Sequence, residues 1–342
     1  MNVVTVENQR REWDLFSQSA DNATAYHSFG WKDVFEKSFG HKCYYLAVVD
    51  DNQCWQGVLP LVHMRSRLFG NCLVSLPFVN YGGLLCKGPE AAAILLAEAE
   101  KLRGTCGASH IELRHISDVY GNLPTKQHKV TMVLDLCESH ERQWAAFDPK
   151  LRNQIRKSQK SGLSFQLGRL ELLSNFYDVF SRNMRDLGTP VYAERLFSNV
   201  LETFPASTMI GIVFHGEKAI AAGLVSWFKN KMEIPWASSI REYNALCPNH
   251  MLYWEMMQFA IGKGLTKFDF GRSTPNEGTY NFKRQWGALP LQLNWQYVME
   301  AGRELPDVSP HNPKYELAIR VWQRLPLAIS KVLGPFIVRN IP

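Results

Sequence analysis

The segment 268–287, FDFGRSTPNEGTYNFKRQWG, contains the densest set of residues in this chain that could carry out chemistry. An apolar strand ends at Gly271, and a loop rich in Gly, Ser, Thr, Pro and Asn follows it. Arg272 and Lys283 place two cations beside the N–H groups of this loop, which suits an anionic ligand or the oxyanion that forms in acyl transfer. The alternative interpretation is a surface turn with solvated charges, in which Trp286 is a core anchor.

A second candidate is the basic stretch LRNQIRKSQKSG at 151–162. Arg152, Arg156 and Lys160 recur every four residues, so on a helix they form one cationic stripe. Such a stripe can pair with a diphosphate or an RNA backbone, although charge runs also occur on solvated faces. The aromatic residues that accompany single-strand nucleic-acid binding are not interleaved with these cations.

The third candidate is the C-terminal tail from residue 313 to residue 342. Leu317, Val321 and Leu325 form an apolar stripe with Arg320 and Arg324 beside it, and a further apolar stretch follows Pro326. A basic amphipathic segment can lie in a membrane interface, or it can dock on its own domain. The pattern leaves both interpretations open.

Composition limits the classes of protein that could position these residues. The chain has 342 residues, 46% of them hydrophobic and 20% charged, which predicts about two globular domains. The net charge of +6 suits a phosphate-bearing partner. Seven scattered cysteines predict reduced thiols, and with no ligand spacing among the histidines we expect no metal site. We expect no secretory signal and no membrane span, and the motifs of dinucleotide enzymes, P-loop NTPases, α/β-hydrolases and zincins are missing.

Hydrophobic patterning predicts an α/β (α+β) fold in which each domain has a mixed, mostly antiparallel sheet with flanking helices. Strands are predicted at 43–49, 56–62, 72–76, 110–116, 130–136, 267–271 and 291–298, with three more between 209 and 240. Helices are predicted at 89–104, 150–160, 170–187 and 250–263. The meander–helix–strand order is that of N-acetyltransferase folds. We place the domains at 1–145 and 146–300, with an amphipathic tail at 301–342.

The sequence resembles the FemAB (FemABX) peptidyltransferase family of the GNAT superfamily, whose members have two tandem acyl-CoA N-acyltransferase-like domains. The motifs that carry this resemblance are the basic stretch 151–162, LGTPVY at 187–192 and the segment 268–287. Other motifs, SFGWKDVFEKSFGH, GVLPLVHMRSRLFG, SLPFVNYGG and the tail WQRLPLAISKVLGPFIVRNIP, are similar to FemAB-like proteins associated with exosortase (XrtA)/PEP-CTERM systems.

The resemblance implies transfer of an acyl or aminoacyl group to an amine of a peptidoglycan, exopolysaccharide or other cell-envelope precursor, linked to a nucleotide or a lipid. Lys283 falls where the family has a functional Phe-Lys pair, and the implied catalytic residues are Lys283, Asp269 and Tyr280. The implied substrate-binding residues come from both halves of the chain: Phe282, Arg272, Ser273, Arg152, Arg156, Lys32, Trp31 and Tyr192.

Two departures leave the acyl donor open. The chain lacks the helical arm that some members use for tRNA, and 245–251, ALCPNHM, lacks a Q/RxxGxG/A pyrophosphate loop. We therefore expect no tightly bound cofactor, and a donor that is either acetyl- or acyl-CoA or an aminoacyl-tRNA. Asp269 and His250 are both candidates for a general base. The protein is expected in the cytoplasm, with peripheral contact at the inner face of the membrane. The alternatives to an enzyme are a non-catalytic transferase fold that binds an anionic glycan-lipid or envelope protein, and an RNA-binding protein.

Overall fold

The computed structural model describes residues 1–67, 69–116, 119–300, 302, 304–306 and 313–341, excluding the side chains of 313–315. The chain forms two compact units. Unit 1 comprises Met1–Lys129, Leu291–Asp307 and Arg339–Pro342, and unit 2 comprises Val130–Pro290 and Val308–Val338. Residues 301, 303, 307–312 and 342 of the predicted tail lie outside the described residues.

The strands in the described residues are β1 (Asn2–Thr5), β2 (Cys43–Val49), β3 (Trp55–Ser66), β4 (Gly70–Val74), β5 (Leu85–Cys86), β6 (His110–His115), β7 (Thr125–Lys126), β8 (Val130–Asp135), β9 (Leu163–Gly168), β10 (Thr208–His215), β11 (Lys218–Phe228), β12 (Lys231–Ser239), β13 (Lys267–Ser273), β14 (Leu289–Gln292) and β15 (Asn294–Met299).

The α-helices described are α1 (Arg10–Ser19), α2 (Gly30–Phe39), α3 (Pro89–Thr105), α4 (His140–Ala146), α5 (Pro149–Lys160), α6 (Leu173–Leu187), α7 (Glu194–Thr203), α8 (Pro248–Gly262), α9 (Gly278–Arg284), α10 (Pro313–Gln323) and α11 (Leu327–Val338). Short 3-10 helices occur at Ala25–His27, Leu170–Leu172 and Arg241–Leu246.

Unit 1 is built on a sheet in the order β1-β2-β3-β4-β6-β15-β7, with β5 paired to β3. Its strands are antiparallel except for β4 and β6, which run parallel. A parallel pair needs a crossover, and α3 provides it between these two strands. Apolar side chains of α3, including Leu95 and Ala99, are buried in the core of this unit with the sheet.

Unit 2 has a sheet of the same kind, in the order β14-β8-β13-β12-β11-β10-β9. Here β12 and β13 are the parallel pair, and α8 is the crossover. Its core includes Met256, Met257 and Ala260 of α8, Ile155 of α5, and Phe268 and Phe270 of β13. The helix α5 begins with Pro149, and Asp148 caps it by accepting a hydrogen bond from the Lys150 N–H at 2.7 Å.

The predicted fold class, two mixed sheets with flanking helices, is confirmed. Several details differ from the sequence analysis. The strand β8 pairs with β13 in the sheet of unit 2, although the sequence analysis ended the first domain at residue 145. The last strand, β15, pairs with β6 and β7 in the sheet of unit 1, although the sequence analysis placed it in the second domain. The predicted loop that follows β13 contains a short helix, α9, which begins at Gly278. A segment of seven residues is too short for its hydrophobic periodicity to predict such a helix.

The predicted tail contains two helices that pack on α6 in unit 2. Trp322 of α10 and Gly334 of α11 are buried there, so the docking interpretation holds for one face of each helix. In the described residues, no helix is both long enough and apolar enough to cross a bilayer.

Candidate functional site

A β-bulge in β13 shapes the centre of the candidate site. Asp269 pairs with Val133 and Arg272 pairs with Thr131. Between these two pairs, β13 therefore contains one residue more than β8. Gly271, at φ +73°, lies in the left-handed region that glycine adopts without the penalty of a Cβ atom. The Oδ1 atom of Asp269 accepts hydrogen bonds from the Gly271 N–H at 2.9 Å and from the Thr131 hydroxyl at 2.6 Å. The Asp269 side chain therefore fixes the bulge.

Lys283, on α9, places its ammonium group against this bulge. Its Nζ donates to the carbonyl oxygens of Gly271 and Arg272, each at 2.9 Å, and the residue is only 7% exposed. Burial lowers the pKa of Lys283 to about 8, against the opposing effect of the Asp269 and Glu233 carboxylates. Two of the three ammonium hydrogens are thus bonded to β13, and the described residues provide no hydrogen-bond acceptor for the third.

Asp269 is completely buried, and both of its carboxylate oxygens have partners within the protein. Besides the two bonds to Oδ1, the Lys231 Nζ lies 3.2 Å from Oδ2. Lys231 is the first residue of β12. The pair therefore joins β12 to β13 at the end of the sheet where these two strands are hydrogen-bonded.

The parallel strands β12 and β13 separate beyond this point. Their pairing covers Lys231–Glu233 against Lys267–Asp269, whereas β12 continues to Ser239 and β13 to Ser273. Strand backbone that faces a gap of this kind can hydrogen-bond to an extended ligand. The parts of these two strands that are not paired with each other are therefore candidates to bind an extended ligand beside the bulge.

His250, in the first turn of α8, lies among aromatic rings next to α9. Its ring centroid is 5.4 Å from that of Phe282 and 6.1 Å from that of Trp286. Burial lowers the pKa of His250 to about 4, so the imidazole is neutral at pH 7. The Gln285 side-chain nitrogen lies 3.3 Å from its Nε2, and its buried Nδ1 has no partner in the described part of the chain.

Other buried polar atoms of unit 2 also lack a hydrogen-bond partner within the described ranges. They include the Ser273 Oγ at the end of β13 and the Arg152 Nε on α5. Leaving a polar atom buried and unpaired costs about 1–3 kcal/mol. Because native proteins seldom leave such atoms unpaired, these atoms are candidates to bind a ligand.

The remaining predicted residues of unit 2 have different surroundings. Tyr280 and Phe282 are half-buried on α9 and pack against the core of the unit. Arg156 is exposed on α5, where its guanidinium lies over the Trp144 ring at 5.3 Å. Tyr192 follows α6 and lies in a separate cluster, where its backbone carbonyl accepts a hydrogen bond from the Tyr177 hydroxyl at 3.0 Å. The bulge thus brings together Asp269, Arg272, Ser273 and Lys283, which are only some of the predicted residues.

Trp31 and Lys32 belong to α2 of unit 1. Trp31 is 2% exposed, and its indole N–H donates to the Ala25 carbonyl at 2.9 Å. Its ring is part of the core of unit 1, and the predicted substrate contact by Trp31 stays a prediction. Lys32 is half-buried and forms an ion pair of 2.9 Å with Glu36, one helical turn away.

Three residues near the bulge were missed by the sequence analysis: Thr131, Lys231 and Glu233. Glu233 is 2% exposed between the apolar neighbours Met232 and Ile234. The available signal was a charged residue between apolar neighbours in a strand, because a carboxylate is costly to bury unless it is paired. The described residues contain no cluster of three or more His, Cys, Asp or Glu side chains that could hold a metal ion.

Comparison with known proteins places this site within a recognised type of domain. Residues 146–284 match the family described as the acetyltransferase (GNAT) domain. The chain is 29% identical over 120 residues to the lipid II:glycine glycyltransferase of Staphylococcus epidermidis, which covers 33% of this chain and 27% of that protein. It is 32% identical over 100 residues to the enzyme of the same name from Staphylococcus saprophyticus, covering 27% of this chain and 23% of that protein. The chain thus spans about a quarter of the length of the curated relatives it matches.

Solved structures show a similar fold over most of the chain. FemX aligns with a TM-score of 0.66 at 16% identity, covering 93% of this chain and 100% of that one. A tandem GNAT protein from the clavulanic acid biosynthesis pathway aligns with a TM-score of 0.56 at 12% identity, covering 89% and 99%. The fold is therefore a tandem pair of GNAT-like domains, as the sequence analysis predicted. The matches support the resemblance to FemAB- and FemX-like proteins, whereas the association with exosortase systems stays a prediction.

Proposed function

We propose that this protein is an aminoacyltransferase that acts on an amine of a lipid-linked cell-envelope precursor. The observation that carries the proposal is the buried Lys283 ammonium at the bulge of β13, beside the gap between β12 and β13. The similarity to lipid II:glycine glycyltransferases supports both the transferred group and the class of acceptor. The transferase class itself is also supported by the GNAT match of residues 146–284.

Lys283 is proposed to stabilise the oxyanion of the tetrahedral intermediate. The two carbonyls of β13 hold the Nζ in place, so the ammonium does not have to reorganise when negative charge develops. A low-dielectric setting strengthens the interaction of a fixed charge with an oxyanion. Asp269 is proposed to act as a positioning residue, since its carboxylate fixes the bulge and is completely buried.

The proposed donor is an aminoacyl ester of tRNA, with an acyl-CoA thioester as the alternative. The α8 N-terminus, where a CoA pyrophosphate would bind, is preceded by Cys247 instead of a glycine loop. The Cys247 thiol is buried there and lies 2.8 Å from the Gln154 Oε1. The residues before α8 thus lack the glycines that let backbone N–H groups approach a pyrophosphate closely, which favours the tRNA ester.

The chemical step joins the acceptor amine nitrogen to the ester carbonyl carbon. The bond from that carbon to the ribose oxygen then breaks, and one proton moves from the nitrogen to the departing hydroxyl. We do not assign a general base: both Asp269 oxygens are bonded, and a pKa of about 4 makes His250 a weak proton acceptor. A water or the leaving oxygen itself is proposed to take the proton.

The proposed acceptor carries phosphates, because the basic helix α5 presents Arg156 and Lys160 on its exposed surface and Arg152 half-buried. Arginine guanidinium groups suit phosphate oxygens in particular. Tyr280 remains a proposed catalytic residue. Phe282, Arg272, Ser273 and Tyr192 remain proposed substrate contacts, as does Lys32 in unit 1. We also propose that the protein acts in an exosortase-associated exopolysaccharide system and lies peripherally at the inner face of the membrane. Both parts of the proposal rest on the motif resemblance.

The test is a transfer assay with purified protein, radiolabelled aminoacyl-tRNA or acetyl-CoA, and lipid- or nucleotide-linked muropeptide acceptors. Lys283→Ala should lower turnover on the order of 10²-fold or more if the ammonium stabilises the oxyanion. Arg284→Ala is the matched control, since this neighbouring cation is exposed on the same helix. Wild-type turnover by Lys283→Ala would reject the role assigned to this lysine. Transfer of label to the acceptor from acetyl-CoA but not from aminoacyl-tRNA would show that the donor is the CoA thioester.

A second candidate function is a non-catalytic module that binds an anionic glycan-lipid. It is favoured by the two hydrogen bonds from Lys283 to the backbone carbonyls of Gly271 and Arg272, which a purely structural lysine could also form. Acceptor binding without transfer from either donor would support this candidate over the enzyme.

A further inference from the structure

The helix α11 is docked on unit 2 along one narrow face. Its buried residues Ser330, Gly334 and Val338 are spaced by four, as on one side of a helix. The contact at Gly334 is close, because a Cβ atom built there would lie 2.8 Å from the backbone nitrogen and oxygen of Val191. This face is therefore occupied by the protein itself.

The other side of α11 is an exposed apolar stripe, formed by Ile329, Val332, Leu333 and Phe336. Their spacing of i, i+3, i+4 and i+7 places them in one row, about half a turn away from the buried row. Val332 is 63% exposed and Phe336 is 67% exposed. An apolar stripe of this kind on a surface marks a binding site for another apolar body.

The exposed stripe of α11 contains no polar side chain, and the helix contains no acidic residue. Its two polar residues are used elsewhere, since Ser330 is buried and Lys331 pairs with Asp178 at 2.5 Å. Interfaces between soluble proteins usually combine apolar patches with a polar rim. A wholly apolar stripe is more typical of helices that lie in a bilayer interface.

The preceding helix, α10, adds cations to the same part of the chain. Leu317 and Val321 are exposed one turn apart, at 73% and 55%. Arg320 of α10 and Arg324, which directly follows α10, are also exposed and lie beside these two apolar residues. Arg320 also forms an ion pair of 2.5 Å with Glu316, so binding to a lipid phosphate would compete with this pair. Arginine next to exposed apolar side chains provides the charge complementarity that anionic lipid headgroups require.

We propose that the exposed faces of α10 and α11 bind the surface of an anionic phospholipid bilayer. The 12 residues of α11 span about 18 Å, which is too short for a hydrocarbon core of about 30 Å, so the helix lies along the surface. The stripe enters the acyl boundary, and Arg320 and Arg324 contact lipid phosphates. This inference specifies the membrane contact named under the proposed function and rests on that part of it. It does not depend on the transferase activity, so vesicle binding and transfer can fail independently.

The test is co-sedimentation of the full chain with vesicles of phosphatidylcholine containing about one-third phosphatidylglycerol, with no glycan-lipid present. The wild type should bind these vesicles and should bind pure phosphatidylcholine more weakly. Val332→Ser/Phe336→Ser should lower the partition coefficient on the order of 100-fold, about tenfold for each large apolar side chain. Arg320→Gln/Arg324→Gln should weaken binding only to the anionic vesicles, about fivefold per residue.

The matched control is Leu15→Ser/Leu170→Ser, which removes two exposed leucines from α1 and from the turn before α6. It should bind vesicles like the wild type, and urea unfolding should show that all three double variants are folded. Equal vesicle binding by wild type and Val332→Ser/Phe336→Ser would overturn the proposal, as would no binding by the wild type. A wild-type dimer in analytical ultracentrifugation that Val332→Ser/Phe336→Ser converts to monomer would instead assign the stripe to a second copy of the chain.

Discussion

The buried Lys283 should give the stability and the activity of this protein opposite dependences on pH. Its pKa is about 8 in the folded state, whereas an unfolded lysine titrates at 10.5. Between these values the unfolded chain binds the proton and the folded chain releases it. Stability therefore rises with pH across this window, while the fraction of protein with the ammonium group, and with it oxyanion stabilisation, declines above about pH 8.

The magnitude follows from the size of the shift. A difference of roughly two to three pKa units, at about 1.4 kcal/mol per unit, corresponds to about 3 kcal/mol of unfolding free energy gained between pH 8 and 10.5. Other groups titrate in the same range; burial raises the pKa of Tyr45, for example, which lowers stability as pH rises. The contribution of Lys283 must therefore be measured as a difference between variants.

The assay is urea unfolding of the wild type, Lys283→Met and Lys283→Arg at several pH values from 7 to 10.5. The unfolding free energy of the wild type should rise relative to that of Lys283→Met by about 3 kcal/mol across this range. Lys283→Arg keeps a charge that does not titrate there, so its difference from Lys283→Met should stay constant. If the protein is the proposed transferase, wild-type turnover should fall above about pH 8, and any turnover of Lys283→Arg should not. A constant difference between the wild type and Lys283→Met would refute the reasoning.

Three further predictions concern the surroundings of this lysine. Gly271→Ala should destabilise the protein by about 1–2 kcal/mol in urea unfolding, because φ is +73° there; an unchanged midpoint would mean that the bulge is not needed. Asp269→Asn should cost roughly 2 kcal/mol by the same measurement, because it removes the buried negative charge that pairs with Lys231. Asp135→Asn, which removes the exposed partner of Lys267, is the control. His250→Phe should reduce the loss of stability as pH falls from 6.5 towards 4, because the folded-state pKa of this histidine is about 4 and the unfolded chain takes up the proton first. An acid-unfolding profile identical to that of the wild type would contradict that assignment.

Much of the fold was readable in the sequence because long periodic segments determine their own secondary structure. The strand β2 occupies Cys43–Val49 as predicted, and α5 differs from the prediction by one residue at its start. The basic stripe on α5 also follows directly from spacing, since residues four apart share one face of a helix. The motif resemblance pointed to Lys283 before its surroundings were known.

Only the tertiary structure decided what these residues contact. Alternation within β13 does not reveal the bulge at Gly271, because the bulge is defined by the register against β8, a strand more than a hundred residues away. The burial that lowers the pKa of Lys283 depends in the same way on packing of α9 against β13. The apolar stripe of α11 could be read from the sequence, but which of its faces is covered could not. Spacing fixes which side chains share a face, whereas packing against distant segments determines whether that face is buried, charged or exposed.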